Sequence, residues 1–187
     1  MENTKKVTLL GDSIRLIGYG KHVPAMLGEG YTVYQPEDNC RFASYTLRML
    51  FDLKNEIQGS DIVHWNNGLW DVCDLFGDGT FTDINDYVRT MVRIGKQLTG
   101  MCGKVIFATT TPVWPEYFYN RNTDIKAFND AVTPELEKLG IVINDLYSEI
   151  VKDIPRYISS ADMLHLSEEG EMLCAEKTVR MIESLAG

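Results

Sequence analysis

Apolar positions fall along the chain in short blocks of two kinds. Val7-Thr8-Leu9-Leu10 runs with almost no alternation, as a strand buried on both faces does. Tyr31-Thr32-Val33-Tyr34, Asp61-Ile62-Val63-His64-Trp65, Lys104 to Thr109 and Ile141 to Asp145 repeat that character. Between them the spacing turns helical. Leu47, Leu50, Phe51 and Ile57 mark a helix from Ser44, and Tyr87, Met91, Ile94 and Leu98 form a stripe behind Asp83, a suitable cap. Ile125, Phe128, Val132 and Leu136 mark a helix over 122–139, which Pro134 is expected to kink or divide. Shorter helices are expected at 22–27 and 146–151, and the stretch from Glu168 to Leu185 closes the chain as an amphipathic helix. The stretch Ile14 to Gly20 is too glycine-rich for a long regular helix. Strands alternating with helices predict a three-layer α/β/α sandwich around a parallel, flavodoxin-like sheet of about five strands. No linker interrupts the pattern, so residues 1–187 are expected to form one domain.

The ends of the strands carry the chemistry. After Leu10 the apolar run is broken by Gly11, and Asp12 and Ser13 follow where the strand should stop. Ligands of open α/β sheets bind outside the carboxyl ends of the strands, so this hydroxyl faces a crevice. Taken alone, Gly11-Asp12-Ser13 reads better as a turn with a helix cap. The far end of the chain changes that balance. Asp162 stands three residues before His165, just ahead of the last helix. At that spacing a carboxylate can accept from one imidazole nitrogen and leave the other as a general base. Ser13 is then the candidate nucleophile, with His165 and Asp162 as its activating pair.

Together these blocks resemble the GDSL or SGNH hydrolases, a family of α/β/α esterases, lipases and carbohydrate deacetylases. Gly11, Asp12 and Ser13 match the family's first block, Asp162 and His165 its last, and the resemblance spans essentially the whole chain in the right order. It implies a serine esterase with Ser13, His165 and Asp162 as its triad. It also implies three oxyanion donors: the N–H of the serine, a glycine N–H in a second block, and an asparagine amide in a third block, Gly-x-Asn-Asp. The second block corresponds to residues 39–46 and puts Ser44 where the glycine stands, which keeps the backbone N–H. The third departs from the pattern: Gly68-Leu69-Trp70-Asp71 puts Trp70 in the place of the asparagine. Asn66 or Asn67 could supply an amide from just upstream, or the Trp70 indole could donate instead; Asn67 is the expected donor. As plain structure, Asn66-Asn67-Gly68 reads as a turn and Trp70 as core or as a wall for substrate.

Charge and composition narrow the partners. A net charge of −9 argues against nonspecific binding to nucleic acid or to an anionic membrane surface. No 18-residue apolar run appears, and Met1 to Lys6 lead into the first strand with no apolar leader, so a soluble, cytoplasmic protein is expected. The four cysteines have no zinc-knuckle or redox-pair spacing and are expected to be mostly buried thiols. His64 falls mid-strand and His22 on the surface, neither with metal-ligand spacing, and Gly18-x-Gly20 lacks the third glycine of a dinucleotide fingerprint. No metal or cofactor is expected, and nothing signals an oligomeric state. The expected partner is a small-molecule ester. Trp70 and the run Trp114, Tyr117, Phe118, Tyr119 follow strand ends on the candidate catalytic edge, where they can stack on a sugar or simply pack as a lid. Asp12, Trp70 and Trp114 are the expected substrate contacts. With no amphipathic lid to shelter a fatty chain, the expected substrate is a short-acyl, most simply acetyl, ester of a carbohydrate or other small polar alcohol. Two rivals share this fold. One is a non-catalytic ligand-binding module, and the other is a flavodoxin-like protein whose Ser13 loop cradles a phosphate.

Overall fold

A computed structural model describes residues 4–187; the first three positions of the expected leaderless N-terminus lie outside the described residues. Strands β1 (Lys5–Leu10), β2 (Tyr31–Tyr34), β3 (Ile62–Asn66), β4 (Lys104–Ala108) and β5 (Val142–Asn144) pair in the order β2-β1-β3-β4-β5. Every pairing is parallel. This is the sheet expected from the unalternated apolar blocks, and β3 is buried along its whole length.

The connections are helical: α1 (Val23–Leu27), α2 (Ala43–Asp52), α3 (Lys54–Ile57), α4 (Ile84–Met101), α5 (Asn122–Glu137), α6 (Tyr147–Ile150), α7 (Ile154–Tyr157) and α8 (Glu168–Ala186). Helices α2, α4 and α5 pack side by side as one outer layer, and α8 packs with α1 and α7 as another. The α4 stripe is the predicted one: Tyr87, Met91, Ile94 and Leu98 are buried, and the Asp83 carboxylate accepts from the N–H groups of Asn85 and Asp86. Pro134 does not divide α5, because it falls in the last turn, where little helix remains to be disrupted. The short helix α7 was not anticipated; four residues are too few to show a period. The stretch after Ser13 makes one wide π-helical turn over Ile14–Gly18 and a 3₁₀ turn over Tyr19–Lys21.

The strand order reverses beside β1, whose neighbours are β2 on one side and β3 on the other. Such a switch point opens a crevice at the carboxyl ends of the strands. Ser13 follows β1 and the 66–71 loop follows β3, so both arrive at this crevice. Close packing there requires Gly11. A Cβ on it would collide with the Asn66 side-chain oxygen and lie 2.8 Å from Arg15 Cβ. Gly11→Ala is expected to destabilise the fold by about 1–3 kcal/mol through overpacking, measured by urea denaturation; a stability equal to that of the parent would refute this account.

Two buried titratable groups set opposing pH dependences. His64 is fully buried and lies near the Tyr19 hydroxyl, the Asn144 amide and the Thr178 hydroxyl; burial pushes its imidazole down to about 3. Asp71 is also buried, and burial pushes its carboxyl up to about 7 although the Ala43 N–H and Thr82 hydroxyl favour the charge. Between pH 3.8 and 6.5 the folded state keeps an extra proton on Asp71, so that group's contribution falls as pH rises. In the same window the unfolded state binds a proton that folded His64 refuses, so the histidine's contribution rises with pH. Asp71→Asn should therefore remove its opposition to the histidine slope, steepening the rise of stability with pH by about 1.4 kcal/mol per pH unit. Urea midpoints collected across that window check this; an unchanged slope would overturn it.

Candidate active site

Ser13 sits at the start of the π-helical turn, half-buried at the crevice. The N–H groups at the start of a helical turn have no acceptor within the helix, and the Ser13 N–H has no partner among the described residues. The turn is pinned from below. Asp12 is 1% exposed and accepts from the Ile14 N–H at 3.0 Å and the Asn66 amide at 2.8 Å. Burial raises its carboxyl above the usual carboxylate value, more than these donors and the nearby Arg15 and His165 lower it. Arg15 is buried as well, and its guanidinium donates to the carbonyls of Gly11, Pro36 and Asp38. Cys40 completes the join: its N–H donates to the Gly11 carbonyl, and its sulfur accepts the Gly11 N–H. The serine turn and the 36–42 loop thus form one rigid piece.

His165 arrives on the loop before α8. The Asp162 carboxylate folds that loop by accepting from the N–H groups of Leu164 and His165, both at 3.0 Å, which leaves Met163 at a φ of 62°. Ser159 donates its N–H to the His165 carbonyl, and Ile158 pairs with Leu166 in a single antiparallel bridge. The other Asp162 oxygen lies 2.7 Å from His165 Nδ1, and His165 Nε2 lies 2.8 Å from Ser13 Oγ. With a carboxylate as acceptor, Nδ1 carries the proton, and Nε2 is left to accept from the serine hydroxyl. Burial alone would raise the Asp162 carboxyl, but the two backbone donors and the imidazole outweigh it and hold the group below the usual value. The three residues brought together from the two ends of the chain therefore form a continuous hydrogen-bonded line.

Among the remaining candidates, Asn67, Asp12 and Trp114 do not line the crevice as the sequence led us to expect. Asn67 is 0% exposed; its amide N–H donates to the Arg41 carbonyl and its side-chain oxygen accepts the Trp65 indole. Its bonds brace the left-handed turn at Arg41, φ 49°, and it does not face the crevice. Asn66 is engaged between Asp12 and the Tyr19 hydroxyl. Ser44 lies exposed in the first turn of α2, beside Ala43, whose N–H is bound by Asp71. Asp12 is buried beneath the serine and cannot reach a substrate. Trp114 is not at the crevice either. Its indole donates to the Ile158 carbonyl and its backbone N–H to Met163, so it straps the histidine loop from outside. Trp70, 41% exposed, does stand at the crevice.

Beside the Ser13–His165 pair opens a cavity of about 480 Å³. Leu16, Ile17, Leu69, Leu75 and Leu164 give it an aliphatic lining; Trp70, Tyr117 and Tyr119 add aromatic faces, and Asn39 and Asn120 are its amides. Sequence reasoning passed over Asn39 and Asn120. Only Asn39 carried a signal, as the first residue of the second family block. Among the described residues no group of three His, Cys, Asp or Glu is placed to hold a metal ion, and no helix is long and apolar enough to cross a membrane. All four cysteines are free thiols.

No family model matches the chain, and no curated protein matches it in sequence. Solved structures do. The acetyl xylan esterase AlAXEase superposes with a TM-score of 0.79 at 21% identity, covering 95% of this chain and 99% of that one. A lipase/acylhydrolase from Enterococcus faecalis gives 0.77 at 20% identity, covering 96% of each chain. Axe2, an acetylxylan esterase from Geobacillus stearothermophilus, gives 0.78 at 17% identity, covering 96% of this chain and 95% of that one. At such identities the likeness speaks to architecture: the chain has the α/β/α fold of the SGNH/GDSL-type hydrolases.

Proposed function

We propose that this protein is a carboxylic ester hydrolase working through an acyl-enzyme on Ser13. The observation that carries the proposal is the line from Ser13 Oγ to His165 Nε2 and from His165 Nδ1 to Asp162, 2.8 and 2.7 Å, at the mouth of an open cavity. Ser13 Oγ attacks the ester carbonyl, its proton passes to His165 Nε2, and the carbonyl electron pair moves onto oxygen. The intermediate collapses with cleavage of the ester C–O bond, and His165 returns the proton to the departing alkoxide. Water then repeats the sequence on the acyl-enzyme. Asp162 holds the imidazole in the required tautomer and stabilises the imidazolium. The N–H groups of Ser13 and Ser44, each in a first helical turn, supply two oxyanion donors. The rival readings, a silent binding module and a phosphate cradle, leave the tight serine–histidine–aspartate line without a purpose.

For the substrate we favour a short acyl group, acetyl in the simplest case, on a carbohydrate or other polar alcohol. Trp70, Tyr117 and Tyr119 offer flat faces in the cavity, Asn39 and Asn120 offer amides for hydroxyl groups, and two of the similar structures are acetyl xylan esterases. A second reading has its own observation: Leu16, Ile17, Leu69, Leu75 and Leu164 would also accept a longer acyl chain. Each methylene buried there is worth about 0.8 kcal/mol, so a long-chain enzyme improves steeply with acyl length. Ser13→Ala should abolish hydrolysis of p-nitrophenyl acetate and leave thermal stability nearly unchanged. Across p-nitrophenyl esters of two to eight carbons, kcat/KM should decline beyond butyrate. A maximum at octanoate selects the second reading, and full activity in Ser13→Ala removes the proposal itself.

A further inference from the structure

Resting on the ester-hydrolase reading, we infer that the Trp70 indole N–H is the third oxyanion donor, in place of a side-chain amide. The asparagines upstream of it are turned inward. Asn66 holds Asp12 and Asn67 holds Arg41, each through its amide N–H at 2.8 Å, and both side chains are buried away from the cavity. Asn120 reaches the cavity wall, but it is 4% exposed and one of its two amide N–H bonds is tied at 2.9 Å to the Leu69 carbonyl. Asn39, the other amide on the wall, accepts the Arg41 N–H with its side-chain oxygen, and its amide N–H groups have no partner among the described residues. It is therefore the rival donor: Asn39→Ala should leave kcat nearly unchanged, and a loss as large as that of Trp70→Phe would overturn the inference.

The three tryptophans divide in an informative way. The Trp65 indole donates to Asn67 and the Trp114 indole to the Ile158 carbonyl, whereas the Trp70 indole has no partner among the described residues. Trp70 shares its cavity with both Ser13 and His165. Its backbone is held firmly. The Asp71 and Val72 N–H groups both donate to the Gly68 carbonyl at 2.9 Å, and Thr110 and Tyr87 hydroxyls both donate to the Asn67 carbonyl. Gly68, at a φ of 146°, has no room for a Cβ because Thr110 fills that space. A donor meant for charge that appears only in the transition state should be unpaired beforehand and fixed in position. An indole N–H meets the chemical requirement, since it donates and cannot accept.

As carbonyl carbon bonds to Ser13 Oγ and the proton moves to His165, the negative oxygen would receive the N–H bonds of Ser13, Ser44 and Trp70. Trp70→Phe keeps the ring and removes the donor. It should lower kcat on p-nitrophenyl acetate by about 10²-fold with little change in KM, and slow phosphonylation of Ser13 by a fluorophosphonate to a similar degree. Trp70→Asn, which restores a donor without the ring, should recover part of kcat. A Trp70→Phe enzyme with unchanged kcat and a raised KM would make Trp70 a substrate wall and overturn the inference, as would a Trp70→Asn enzyme no faster than Trp70→Phe. If Ser13→Ala still hydrolyses the ester, the hydrolase reading has failed instead, which is a separate result.

Discussion

A buried polar layer beneath Ser13 governs the rest of the site. Arg15 and Asp12 are both removed from water, one as a guanidinium bonded to three carbonyls, the other as a carboxyl bonded to an amide and a backbone N–H. Burying such groups is unfavourable unless each finds partners, and the partners here are backbone atoms of the loops that must meet. The requirement to satisfy them fixes the approach of the 36–42 loop to the end of β1. One nitrogen of Arg15 and one oxygen of Asp12 stay unpaired even so. The arrangement therefore favours a single geometry at some expense in stability, as partly satisfied polar clusters do.

Upon this base the Ser13–His165–Asp162 line is assembled from loops that are held by contacts from elsewhere in the chain. The histidine loop depends on Trp114, which comes from the segment after β4, and on the bridge between Ile158 and Leu166. The helix carrying Ser44 begins where Asp71, from the loop after β3, accepts the N–H of Ala43. Each of these contacts crosses between segments far apart in the chain, so the site forms only when the sheet brings the carboxyl ends of its strands to one edge. Trp114 also shows why an aromatic near a catalytic edge is an ambiguous sign. Its ring can face a ligand or hold a loop, and only its hydrogen bonds distinguish the two.

The 66–71 loop shows how one position can exchange roles with its neighbours. Two asparagines there are turned inward to join β3 to the serine turn and to the Arg41 turn. The residue left facing the crevice is a tryptophan, which offers both a flat apolar face and a lone N–H. The cavity it borders mixes aliphatic, aromatic and amide groups, a lining suited to a small ester with one apolar and one polar portion.

Strand and helix periods were legible because burial imposes them locally: a strand covered on both faces must be apolar throughout, and a covered helix must carry a stripe. The five strands, the α4 stripe with its Asp83 cap and the layering of helices on both faces of the sheet could all be reached in that way. Gly11-Asp12-Ser13 and Asp162-x-x-His165 were legible because a serine–histidine–aspartate hydrogen-bonded line restricts residue type and short-range spacing together. The fates of Asn67, Asp12 and Trp114 were not legible. Each is polar or amphipathic, each follows a strand end, and composition cannot tell whether its polar atoms face a ligand or another part of the chain. Tertiary structure decided that, because a buried amide or indole takes whichever carbonyl, and a buried carboxylate whichever N–H, packing brings within about 3 Å, and Arg41, Asn66 and Ile158, which supply these partners, lie tens of positions away.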